Sequence, residues 1–123
     1  MKYQFILIAT LLAVSSLANA SKDHDHAPKY GGVVTEVKDI EYELVAKPDL
    51  IQLYVRDHGK AVDVSKDTAK LTLLTGADKQ EIELRPADGR LEAKGTFKVA
   101  KGSKAVAAVT VGAKTTVARF VLK

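Results

Sequence analysis

Two of the chain's three histidines stand in one short stretch, Asp23-His24-Asp25-His26. Imidazole and carboxylate groups suit Zn(II), Cu(II), Ni(II) and Co(II) as ligands. The His-x-His spacing in an extended arm lets both rings reach one ion, and Asp23 or Asp25 supplies an oxygen ligand. The stretch therefore predicts a divalent metal site. The alternative is a solvated polar leader with no ligand role.

The third histidine, His58, lies in the sequence D-H-G-K at residues 57–60. This composition is typical of a turn, because Asp hydrogen-bonds its own backbone and Gly tolerates positive φ. An exposed turn residue is the ordinary interpretation of His58. It becomes a third metal ligand if the preceding arm folds back onto the turn, and Gly31 and Gly32 would give the arm that freedom.

The chain contains no cysteine. Its absence excludes thiolate metal sites, disulfides and thiol catalysis. No Ser-His-Asp spacing and no Gly-rich phosphate loop accompanies the histidines, so the sequence offers little for acid–base or nucleophilic chemistry. We predict a protein that is not an enzyme and that carries no organic cofactor.

The first twenty residues have the features of a secretory signal peptide. Lys2 precedes an apolar run over residues 5–14, and Ala18-Asn19-Ala20 is the small-x-small pattern that signal peptidase cleaves. The apolar run is far shorter than the roughly 20 residues needed to cross a bilayer. We therefore expect cleavage after Ala20, export to the periplasm and no membrane anchor.

The formal net charge of +4 is mild, and the lysines are spread along the chain. Nucleic-acid binding requires a clustered basic face, usually with stacking aromatic side chains. Neither feature is visible, so the sequence predicts no nucleic-acid partner.

Apolar and polar residues alternate with period two along most of the chain after residue 32, which is the pattern of half-buried strands. Turn sequences rich in Gly, Asp and Pro separate these runs. The pattern predicts an all-β domain, a single antiparallel immunoglobulin-like β-sandwich of about seven or eight strands. A small closed β-barrel is the alternative. Residues 65–70 are the one segment whose sequence is compatible with a single helical turn.

Two acids, Glu41 and Glu43, alternate with apolar residues in the run over residues 40–46. Paired acids on a strand usually form its solvated face, and the alternative is that they supply carboxylates to a metal. Tyr30, Tyr42 and Tyr54 are expected to be packing or strand-edge residues.

Residues 27–60 resemble a short region of the periplasmic adaptor subunits of bacterial heavy-metal efflux pumps. They also resemble small exported proteins often encoded near those pumps. The features that carry the resemblance are a His-containing leader before Gly31-Gly32, the E-L-V strand at residues 43–45 and the Y-V-R-D-H-G run at residues 54–59. Some relatives have His directly before the glycine pair, where this chain has Lys29-Tyr30. This sequence has no counterpart of the adaptors' helical hairpin or lipoyl-like domain, so we do not expect the chain to be an adaptor itself.

The resemblance implies a periplasmic protein that binds divalent heavy metal as an accessory of an efflux or resistance system. Its expected partners are periplasmic components of a metal efflux pump. The alternative function is an exported β-sandwich module for protein–protein interaction, with no metal role. The expected organisation is a signal peptide over residues 1–20, a flexible His/Asp-containing arm over residues 21–32 and a β-sandwich domain over residues 33–123.

Overall fold

The computed structural model describes residues 27–123, and within that range the chain forms strands and no helix. No helix in these residues is therefore available to cross a membrane. The strands are β1 (Val33–Val37), β2 (Ile40–Ala46), β3 (Leu50–Asp57), β4 (Lys60–Ala61), β5 (Thr68–Thr75), β6 (Asp78–Ala87), β7 (Arg90–Lys94), β8 (Lys104–Val111) and β9 (Lys114–Val121).

Eight of these strands form one continuous sheet in the order β1-β2-β3-β7-β6-β5-β8-β9, and β4 pairs with β3 outside that path. Every neighbouring pair is antiparallel. The two edge strands approach each other, and the Thr35 hydroxyl donates a 2.6 Å hydrogen bond to the Arg119 carbonyl. The all-β prediction is confirmed, and the nearly closed sheet matches the barrel alternative.

The inner face of the sheet forms one apolar core. Most of its members come from the inward positions of the alternating strands, as the period-two pattern predicts, and Val64 and Leu122 join them from outside the strands. Burying each leucine contributes about 1.5–3 kcal/mol to stability. The largest fully buried apolar side chains are Leu44, Ile51, Leu53, Leu71, Leu73, Leu84, Leu91, Val64 and Val109.

The chain bends at Gly95, where it leaves β7, and the Gly95 and Phe97 amides donate to the carbonyls of Asp49 and Pro48 in the β2–β3 turn. One local expectation differs from the structure. Residues 65–70 form no helical turn, since β5 already begins at Thr68. The difference comes from strand pairing that a local pattern does not contain.

Candidate functional site

His58 occupies a two-residue hairpin turn between β3 and β4. Asp57 pairs with Lys60 across this hairpin, and His58 and Gly59 both have positive φ, at 53° and 84°. Two successive positive φ angles are the signature of a type I′ turn, which matches the twist of the flanking strands. The turn predicted at residues 57–60 is confirmed, and its geometry aims the imidazole of His58 outward.

The His58 ring is open to solvent and is oriented by its neighbour. Its side chain is 74% exposed, and Nδ1 lies 2.5 Å from Oδ1 of Asp57. When the protonated Nδ1 donates to this carboxylate, Nε2 carries the ring's lone pair. A carboxylate that holds the far nitrogen of an imidazole is the usual support of a metal-binding histidine. The pair is therefore chemically suited to offer Nε2 to a cation.

Glu43 on β2 is the most deeply buried ionisable group of the described residues, with 0% exposure. Its carboxylate accepts backbone N–H groups from Lys29 at 2.8 Å, Tyr30 at 2.8 Å and Gly32 at 2.9 Å. These bonds hold residues 27–32, the base of the arm, against the outer face of β2. A single side chain thus binds the backbone of the segment that leads into β1.

Arg56 on β3 completes this buried cluster. Its Nη1 donates to Glu43 at 2.9 Å, and its Nε donates to Glu41 at 3.3 Å. Glu41 and Arg56 lie directly opposite each other in the β2–β3 register. The expectation that the two acids form a solvated face is wrong: both are buried, residues 29, 30 and 32 donate backbone hydrogen bonds to Glu43, and Arg56 supplies the compensating charge that a buried carboxylate requires.

Glu43 has no capacity left for a metal ion. Its Oε1 accepts from Lys29 and Arg56, and its Oε2 accepts from Tyr30 and Gly32. Two donors on each oxygen occupy the lone pairs of the carboxylate. The role of Glu43 is therefore to position the arm.

The same contacts determine the pKa of Glu43. Burial raises the pKa of this carboxyl, but the hydrogen bonds from the backbone of Gly32, Lys29 and Tyr30 and from the Arg56 guanidinium outweigh it together. The net effect holds the pKa below its ordinary value of 4.5. Glu43 is thus ionised over the whole neutral range, which its role as a fourfold acceptor requires.

The base of the arm also contacts the His58 turn. The Lys29 ammonium donates to the Gly59 carbonyl at 3.3 Å, and the Tyr30 ring stacks on Tyr54 of β3 with centroids 3.8 Å apart. Stacked aromatic pairs stabilise their geometry beyond simple area burial. The segment that leads into β1 therefore lies beside the turn that carries His58.

The glycine pair before β1 serves the path and packing of the backbone rather than its freedom of movement. Gly31 has φ of +80°, and a Cβ on Gly32 would collide with the Leu44 carbonyl oxygen. Glycine adopts the left-handed backbone of residue 31 without strain, and the close approach at residue 32 leaves no room for a Cβ. The pair lets the base of the arm pack closely on β2.

The remaining predicted ligands, Asp23, His24, Asp25 and His26, lie outside the described residues. Within residues 27–123 no three His, Cys, Asp or Glu side chains stand close enough to hold a metal ion. Among the described residues, His58 therefore has no such group of ligands around it.

Comparison with known proteins yields no match: no family model, no curated protein and no solved structure matches this chain. The fold and the site define a small all-β protein in which a buried acid–arginine cluster anchors the segment before β1, residues 29–32.

Sequence reasoning missed the anchoring role of Glu43. The available signal was Arg56, a basic residue in the next predicted strand. The alternation places Arg56 on the same outer face as Tyr54. A cation flanked by acids on a neighbouring strand suggests a charge cluster. Its burial still depends on the covering segment, which no strand pattern reveals.

Proposed function

We propose that this protein is a periplasmic accessory of a metal efflux or resistance system and that it binds a divalent heavy-metal ion. The ion is Zn(II), Cu(II), Ni(II) or Co(II), held by His24, His26 and His58 with Asp23 or Asp25 as an oxygen ligand. The protein acts by binding and delivering the ion, without catalysis. Its partners are periplasmic components of the pump.

The contact between Lys29 and Gly59 is the observation that carries this proposal. It brings the base of the arm to the residue next to His58. His26 is three residues before Lys29, and three extended residues span about 10 Å. An extended chain of this length would let His26, the last residue of the D-H-D-H stretch, reach the His58 ring.

The Asp57 carboxylate at the turn favours the binding of a cation. Asp57 contributes a carboxylate that orients His58 and offsets the charge of a bound ion, as in other imidazole sites. The Lys29 ammonium lies at the same turn and opposes a cation, so Asp23 or Asp25 must contribute charge as well as an oxygen atom. Ligation requires neutral imidazole, and affinity at His24 and His26 should therefore fall as the pH drops below about 6.5.

The resemblance to regions associated with metal efflux supplies the physiological setting of the proposal. It rests on the His-containing leader, the glycine pair and the Y-V-R-D-H-G run, which includes His58. The anchoring cluster involves two of these segments, since Gly32 and Arg56 both donate hydrogen bonds to Glu43. The glycine pair and the Y-V-R-D-H-G run are therefore joined through one carboxylate.

Isothermal titration of residues 21–123 with Zn(II) and with Cu(II) tests the proposal. We expect a dissociation constant well below about 100 μM, which corresponds to about −5.5 kcal/mol. His24→Ala with His26→Ala should remove most of this affinity. Binding weaker than that limit for both metals would contradict the metal function and favour the protein–protein interaction module.

A pair of turn variants tests the part played by His58. His58→Asn removes the imidazole and keeps a residue that tolerates the positive φ of 53°, so it should weaken metal binding. Ala77→Asn, in the β5–β6 turn between Thr75 and Asp78, is the control and should leave binding unchanged, because none of the contacts described above involves that turn. Equal affinity of the two variants would show that residues 23–26 bind metal without the His58 turn.

A further inference from the structure

Charge is distributed unevenly along this chain. All acidic residues lie before residue 93, and every Asp, Glu, Lys or Arg position after it is basic. This carboxyl-terminal part forms β8, β9 and the segment before them. The basic residues are Lys94, Lys98, Lys101, Lys104, Lys114, Arg119 and Lys123.

The strand register arranges the outward residues of β5, β8 and β9 in rows. One row is Leu74, Lys104 and Val121, and the next is Thr72, Val106 and Arg119. Side chains opposite each other on adjacent strands share a face. Two further rows extend this surface, which we name the basic face: Lys70, Ala108 and Val117, then Thr68, Thr110 and Thr115.

The basic face mixes cations with exposed aliphatic side chains. Leu74, Val117 and Val121 are 38%, 40% and 57% exposed. Neither Lys104 nor Arg119 has an ion-pair partner among residues 27–123. Exposed apolar surface of this kind marks a site of interaction with a protein or a membrane.

The acidic groups at the β6 border of this surface have basic neighbours of their own. Glu83 is the cross-strand neighbour of Lys70, but its carboxylate pairs with Arg85 at 3.0 Å. Glu81 stands opposite Thr72 and lies within 3.9 Å of the Lys79 ammonium. The positive charge at Lys104 and Arg119 therefore remains uncompensated by the face itself.

The composition of the basic face favours a lipid surface over a protein. Protein interfaces gain most of their affinity from aromatic anchors seated in pockets, and none of the twelve positions in the four rows is aromatic. An anionic bilayer requires only positive charge and shallow apolar contact, and lysine stems can lie along apolar surface while their ammonium groups meet phosphate.

We propose that the basic face docks on the surface of an anionic phospholipid bilayer. Lys104 and Arg119 contact lipid phosphates, and Val117 and Val121 contact the region just below the headgroups. The proposal is independent of metal binding, because it uses the side of the barrel built by β5, β8 and β9 and none of the three histidines.

Sedimentation with large unilamellar vesicles tests this proposal. Residues 21–123 contain every strand and the core described above. They should bind vesicles of phosphatidylglycerol and phosphatidylethanolamine, and bind vesicles of phosphatidylcholine at least tenfold more weakly. Lys104→Glu with Arg119→Glu should reduce binding to the anionic vesicles at least about tenfold, given the attraction of each basic residue to an anionic surface.

The matched control reverses the same charges elsewhere. Lys47→Glu with Lys60→Glu places the substitutions in the β2–β3 turn and on β4, and it should retain most of the binding. Equal losses for both double variants, or equal binding to anionic and neutral vesicles, would overturn the proposal. The proposal would also be overturned if the protein bound soluble polyglutamate but not anionic vesicles, and if Lys104→Glu with Arg119→Glu weakened that binding. An acidic protein would then be the partner.

Discussion

Two regions of the outer surface of the barrel differ in how far their charged side chains are exposed. On β2 and β3 the outward residues Glu41, Glu43 and Arg56 are buried. Arg56 donates to both acids, and the base of the arm donates three backbone hydrogen bonds to Glu43. On β8 and β9 the outward residues Lys104 and Arg119 remain exposed, and the cations there have no described ion-pair partner. Both faces alternate in the same way along the chain, so the alternation alone does not distinguish them.

The difference shows what a covering segment does to charge. A buried carboxylate is costly unless donors replace its water, and Glu43 receives four such donors. Exposed lysines need no such compensation, because water solvates them. We therefore expect the covered face to contribute to stability and the basic face to contribute almost nothing.

Removing the charge of Glu43 should have the largest effect. Glu43→Gln leaves Arg56 with Glu41 as its remaining carboxylate contact and sets an amide N–H₂ against backbone donors. Breaking a buried ion pair from one side costs about 3–5 kcal/mol, and urea denaturation should show a loss of this order. Glu83→Gln, on the exposed Arg85 pair of β6, is the control, with an expected change of less than about 1 kcal/mol. Similar losses for the two variants would refute the anchoring role.

The Glu43 cluster should also give stability a defined pH dependence. Its pKa in the folded protein is lowered from the ordinary 4.5, so its contribution is complete above that value. It should disappear as the pH falls from 4.5 through the lowered folded pKa. The stability gap between the wild type and Glu43→Gln, followed by urea midpoints, should therefore shrink in acid. A gap that stays constant down to about pH 3 would count against an ionised Glu43.

Tyr30→Ala should have an intermediate effect. It removes the stacked ring on Tyr54 but keeps the backbone bonds to Glu43, so the expected loss is about 1 kcal/mol. Thermal unfolding measures it, and Tyr30→Phe is the control that keeps the ring. The base of the arm is less firmly held without the ring, so metal affinity should fall as well. Unchanged stability and unchanged affinity would mean that the stack does not position the arm.

Reversing charge on the basic face should have the smallest effect on folding. Lys104→Glu with Arg119→Glu alters exposed side chains without described ion pairs, and surface substitutions of this kind usually change the free energy of unfolding by less than about 0.5 kcal/mol. Urea denaturation of the double variant provides the measurement. A large loss would show that these cations stabilise the barrel, which would erase the contrast between the two faces.

The sequence predicted the inner face well and the outer faces poorly. Leu44, Leu53 and Leu71 are buried where the alternation places them, because a strand's period of two is a local property. The burial of Glu43 follows from hydrogen bonds to residues 29–32, more than ten positions away. The turn at His58 was predictable from its own residues. Its contact with Lys29, thirty positions earlier, was not.

Nuclear magnetic resonance of the histidine rings tests the central claim, that His24, His26 and His58 share one metal ion. The chain has only three histidines, so each ring can be followed during a Zn(II) titration of residues 21–123. All three rings should shift with one midpoint, and His24→Ala with His26→Ala should abolish the shift of His58. A His58 ring that stays unmoved while the other two saturate would contradict the shared site.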